Sequence, residues 1–153
     1  MADKLQFDLT AAHKFFSTDN FNKSWEYIEK QDRSQEDDLS MLHAAIASLW
    51  HWSQREDVNA KNLSVGYWQV SRVFCLIGQP ENARKYGLLS LKQAESLEPF
   101  FKAYAYESLA RAEMLAHNRV VMKHYLEQAL EWTAQISDEA DKELLRKDLE
   151  TII

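Results

Sequence analysis

Apolar side chains recur every three or four positions along almost the whole chain, the spacing that lays a single stripe down a helix. The first stripe runs from Phe7 to Phe16, and Ser17-Thr18-Asp19-Asn20 then reads as a stop whose side-chain oxygens cap a second helix from about Phe21 to Lys30, with Trp25 and Ile28 on its buried side. Ser34 with Asp37 forms the pattern of a capping box, opening a third helix to about Arg55 with Leu42, Ala45, Ile46, Leu49 and Trp52 at core spacing. A break at Asp57-Val58-Asn59 precedes a fourth helix ending at Ile77, where Gly78 supplies the left-handed residue that follows a helix. Pro80 suits the first turn of a fifth helix to Glu98, which Pro99 closes. The sixth helix spans about Phe100 to Ala116 and the seventh about Arg119 to Ile136, with His117-Asn118 at the turn and Asn expected in the left-handed backbone. Ser137-Asp138-Glu139 caps a strongly charged eighth helix, suited to terminate an array.

The elements are not independent. Residues 64 to 97 repeat 39 positions later, so that Tyr67, Val70, Ser71, Leu76, Tyr86, Ser90 and Leu91 match Tyr106, Leu109, Ala110, Leu115, Tyr125, Ala129 and Leu130. A helical hairpin copied at such a period stacks on its copy to bury the apolar face that neither can bury alone. The chain therefore reads as one all-α domain, residues 1–153, with N-terminal helices over 5–63, repeated hairpins at 64–97 and 103–136, and a capping helix over 137–153.

Composition narrows the functional classes. Hydrophobic content of 46% with only three Gly and two Pro excludes a turn-rich all-β domain. A net charge of −6 lacks the clustered Lys and Arg that nucleic-acid phosphates require. No stretch approaches the ~20 apolar residues of a membrane span, the start Met-Ala-Asp-Lys-Leu-Gln carries no secretory pattern, and the single Cys75 has no partner in the chain, so a soluble cytoplasmic protein is expected.

From Gly78 to Leu91, the wording Gly-x-x-x-x-Ala-x-x-x-x-x-x-Ser-Leu resembles the centre of a tetratricopeptide repeat, with Tyr67, Val70, Ser71 and Phe74 filling helix A positions. The second copy departs from that pattern at Glu113, His117 and Met122, where the family prefers an aromatic residue, Gly and Ala, and the period is 39 rather than 34 residues. The segment His43 to Trp52, followed by Trp68 to Val73, is similar to a group of bacterial proteins without assigned activity. The first resemblance implies a short right-handed solenoid of about eight helices in antiparallel hairpins, with a concave groove for a peptide or partner helix. Carried over by position, the groove residues are Trp68, Gln69 and Arg72 in the first copy and Glu107, Ser108 and Arg111 in the second.

Arg72 and Arg111 are the sharpest pair, because guanidinium groups on adjacent helices can bracket one carboxylate or phosphate; the duller alternative pairs each with a local acid such as Glu107. A small-molecule pocket lined by His43, His51, Trp68 and Arg72 is a second reading, and a structural homodimer through exposed Trp50, Trp68 or Tyr104 a third. His43 and His51 lie about 80° apart round one helix and do not form a chelating pair, so no metal is expected. Glu113 and His117 share i, i+4 spacing, which suits a general base or mutual satisfaction at a helix end. No hydrolase elbow, phosphate-binding loop or zinc-helix motif occurs, so neither catalytic residues nor a cofactor are expected. The acidic run Asp32, Glu36, Asp37 and Asp38 suits a helix start, and Cys75 reads as a buried structural thiol.

Overall fold

The computed structural model describes residues 7–153, and the opening hexapeptide, on which the secretory argument rested, lies outside the described residues. Among the described residues there are seven α-helices and no strand: α1 Leu9–Glu29, α2 Gln35–Ser53, α3 Ala60–Leu76, α4 Pro80–Ala94, α5 Pro99–Leu115, α6 Arg119–Ala134 and α7 Glu139–Glu150.

The count differs from the expected eight because Ser17-Thr18-Asp19-Asn20 does not interrupt the first helix. Ser17 and Thr18 donate their hydroxyls back to the Lys14 carbonyl at 2.9 and 3.3 Å, Asn20 donates to the Phe16 carbonyl at 2.9 Å, and Asp19 pairs with Lys23 one turn on. Groups that could cap a new helix instead fold onto the preceding turn, as these side chains do when a helix is held by packing. The Ser17 carbonyl also accepts the Ser48 hydroxyl of α2 at 2.7 Å, fixing the merged helix to its partner. With α1 continuous, three complete hairpins follow one another and α7 remains over.

The remaining boundaries follow local chemistry. Ser34 and Asp37 form the expected capping box, and Asn59 with Asn62 forms a second at the start of α3. Pro99 opens α5 at its first position rather than closing α4, which ends four residues earlier than expected. Asp138 caps α7 by accepting from the Asp141 amide at 2.9 Å.

The turns of the copied hairpins agree bond by bond. In α3–α4 the Gln79 amide reaches the Phe74 carbonyl at 2.9 Å and the Gly78 amide that of Cys75 at 3.2 Å; in α5–α6 Asn118 reaches Glu113 at 2.9 Å and His117 reaches Met114 at 3.1 Å. The left-handed position is Gly78 in one turn and His117 in the other, so His117, not Asn118, takes the strained backbone. Tyr67 with Tyr86 and Tyr106 with Tyr125 each place ring centroids 6.2 Å apart.

Helices pack as α1/α2, α3/α4 and α5/α6 pairs, with α4 against α5 and α2 against α3 joining the hairpins. The odd-numbered helices touch in order, α1 to α3 to α5 to α7. One apolar cluster lies around Met41, Val70, Val73 and Ala83, and another around Ala110, Met122, Leu145 and Leu149. Small residues set the close crossings. At Gly87, where α4 meets α5, a Cβ would stand 2.9 Å from a Leu109 methyl, inside ordinary van der Waals separation.

Candidate functional site

Each odd-numbered helix contributes to one cavity of about 340 Å³: Phe21 and Trp25 from α1, Val65 and Trp68 from α3, Phe100, Phe101 and Tyr104 from α5, Leu144 and Asp148 from α7. A second cavity, lined by Trp52, Lys61 and Gly66 among others, shares Phe21, Val65 and Phe101 with the first, making two lobes of one groove. Trp68 holds the aromatic wall together. Its ring lies 5.7 Å from that of Trp25 and edge-on to Tyr104 at 5.3 Å.

Behind this wall sits a buried ionic network. Glu107 is wholly inaccessible and accepts from the Trp68 indole at 2.9 Å, from Arg111 Nε at 2.6 Å and from Arg72 Nη1 at 3.3 Å. Arg111 extends further, donating Nη2 to the Asp148 carbonyl at 3.0 Å and to the Thr151 hydroxyl at 2.8 Å, so it ties α5 to the end of α7. The anion between Arg72 and Arg111 is therefore the protein's own. Charge-assisted bonds of this kind offset desolvation only when every oxygen is satisfied, as here.

Asp148 faces the cavity with a different balance. Its carboxylate accepts from the Tyr104 hydroxyl at 3.1 Å but meets no Lys, Arg or His within ion-pair distance among the described residues. Burial, followed by the nearby Glu107 charge, raises its proton affinity above the usual carboxylate range. Burial and the Asp148 charge likewise push the Tyr104 phenol upward. Burial pushes the Cys75 thiol up to about 12, which leaves it an unreactive thiol at neutral pH.

Of the residues singled out in the sequence, Trp68, Arg72, Glu107 and Arg111 come together. Gln69 turns its amide to the Phe21 carbonyl at 3.1 Å and Ser108 its hydroxyl to the Ala105 carbonyl at 2.7 Å, so both are spent inside the fold. His43 is exposed on α2, while His51 lies against His13, with Nδ1 atoms 2.9 Å apart, and against Phe16 and Trp50. Neither histidine lines the cavity beside Trp68, and the four-residue pocket of the small-molecule reading is not assembled. Glu113 accepts from Arg84 Nε on one oxygen and from Nη2 on the other, at 3.1 Å for the latter, rather than from His117. Among the described residues no three His, Cys, Asp or Glu side chains gather as metal ligands, and no helix is long and apolar enough to cross a membrane.

Sequence reasoning missed Asp148, Phe100, Phe101 and Leu144 as site residues. A signal was present: Leu144 and Asp148 stand four apart on α7, beside the buried Leu145 and Leu149. A second surface also emerges on α2, where Leu39, Ile46 and Trp50 are 56%, 36% and 54% exposed at spacings of seven and four residues, forming a partly exposed, largely apolar stripe with His43 on the same face.

Compared with protein-family models, with curated proteins and with solved structures, the chain matches none.

Proposed function

We propose that the protein is a non-catalytic binding module, a TPR-like array working in the cytoplasm, whose two-lobed groove receives a segment of a partner protein. The observation that carries this reading is the groove itself: one helix of every hairpin, together with α7, exposes aromatic and apolar side chains to a shared open cavity instead of closing over it. Such a surface suits an extended strand or amphipathic helix. The arginine pair acts indirectly, because Arg72 and Arg111 bind Glu107 and thereby hold the Trp68 wall that the partner would touch.

Selection of a random displayed-peptide library against the protein tests this. Val65 lines both lobes, so Val65→Trp fills the groove without removing any member of the ionic network. Selected peptides are expected to bind the wild type and to lose about tenfold or more in affinity for the variant. Equal binding to both would remove the groove as the site.

The α2 stripe supports a second reading, self-association through the first hairpin. An array whose first hairpin has, among the described residues, no helix stacked on its outer face gains by covering it with another copy. The two readings use different surfaces and are compatible.

A further inference from the structure

The groove's more aromatic lobe combines a wall of rings with a single acidic group and, among the described residues, no basic one: Asp148 is its one carboxylate, and no Lys, Arg or His lines it. The two guanidinium groups nearby are already engaged, Arg72 and Arg111 on Glu107 and Arg111 also on the α7 backbone. Asp148 therefore faces apolar space with one hydroxyl donor and, among the described residues, no direct ion-pair partner, the Arg72 and Arg111 charges acting on it only from a distance, an arrangement that an opposite charge in the lobe would improve.

We propose that this lobe receives a cation carried on an apolar stem, presented as a lysine or arginine side chain of the partner segment. The source of that side chain rests on the groove reading above; its charge does not. Aromatic faces attract a weakly hydrated cation, and the attraction strengthens where water is excluded. The stem lies along Phe101 and Leu144, while the head reaches Asp148. The three guest charges give different outcomes at this one site: a carboxylate is repelled by Asp148, a neutral apolar guest desolvates Asp148 further without compensating it, and a cation neutralises it. The protein shows the same preference internally, since Arg55 lies over the Trp52 ring at 3.8 Å and Lys61 over Phe101 at 5.6 Å in the neighbouring lobe.

Butylguanidinium and butylammonium imitate the two side chains, with 1-pentanol as the neutral counterpart and pentanoate as the anion. Binding is read from Trp25 and Trp68 emission and from amide shifts on α3, α5 and α7. Both cations are expected to bind about tenfold more tightly than 1-pentanol, and Asp148→Asn to bring the three within about twofold while 1-pentanol binding persists. Glu143→Gln, which removes an exposed α7 charge that does not line the cavity, is expected to leave the preference intact. Neutral and cationic probes binding alike to the wild type, or a preference unchanged in Asp148→Asn, would overturn the proposal. So would groove-bound peptides that lack Lys and Arg and are indifferent to Asp148→Asn, an outcome that leaves the groove reading standing. Cation binding by a protein that selects no peptide would overturn the side-chain source and the groove reading together. A dimer dissolved by butylguanidinium would assign the lobe to a side chain of a second copy instead of a separate partner.

Discussion

Trp68 donates its indole N–H to Glu107 at 2.9 Å, and the two residues are 39 positions apart, so they occupy one and the same place in successive hairpins. The repeat thus puts an aromatic donor in the first copy opposite a buried acceptor in the second, and the guanidinium groups of Arg72 and Arg111 converge on that acceptor. Glu107→Ala leaves two arginines and an indole facing a void. Removing one partner of a buried ionic group costs about 3–5 kcal/mol, so the urea midpoint should fall by a corresponding amount. A smaller loss, below about 1 kcal/mol, would mean that water replaces the carboxylate freely.

The turns offer a test of opposite sign. His117 holds φ at 58° where its counterpart Gly78 holds 76°. A side chain in that conformation costs about 1–2 kcal/mol, whereas the added freedom of glycine in the unfolded chain costs about 0.4–1 kcal/mol. Strain relief wins, and His117→Gly should stabilise the fold by about 0.5–1 kcal/mol in thermal or urea unfolding. A loss of stability would show that the imidazole itself holds the α5–α6 turn.

These two cases mark what could be read from the chain. The repeated hairpin was legible because its turn residues and its Tyr67–Tyr86 and Tyr106–Tyr125 pairs stand in matching register, and local chemistry fixes both. The same register placed Trp68, Arg72, Glu107 and Arg111 on neighbouring helices. The first helix was misread because Ser17, Thr18 and Asn20 carry groups that either cap a new helix or bond back within an old one, and packing against α2 decides between them. Asp148 was missed for a different reason: its spacing from Leu144 marks a shared helix face but not what that face meets. It joins the site through the approach of α7 to α5, a tertiary event sealed by Arg111 on the α7 terminus. Period and propensity carry no record of that distance.

His13 and His51 make acid stability a measurable property of the first hairpin. The two Nδ1 atoms lie 2.9 Å apart, close enough to share one proton but not to accommodate two. Burial first, and then the His13 charge, hold the His51 pKa below its ordinary value. The unfolded chain therefore binds the His51 proton first as pH falls through about 6.5, and stability drops with falling pH until the folded state is protonated there as well; above that window His51 contributes no pH dependence. Urea midpoints measured from pH 7.5 to 5.5 should decline for the wild type, and His51→Phe, which keeps a ring but carries no proton, should flatten the decline. Identical slopes would assign the acid sensitivity to other groups.

The outer stripe of α2 bears on assembly. Leu39, Ile46 and Trp50 repeat at seven and four residues, the spacing at which one helix offers side chains to another, and among the described residues all three remain partly exposed. Exposed apolar area arranged in this way favours a partner helix, and a two-fold pairing of α2 with its own copy brings each Trp50 against the stripe of the other chain. Sedimentation velocity should show a dimer whose population rises with concentration. Trp50→Glu places a charge in that contact and should give a monomer with unchanged helical circular dichroism, because the indole is more than half exposed in the monomer and contributes little to its core. A wild type that sediments as a monomer throughout would dispose of self-association through this face and leave the stripe for a different protein.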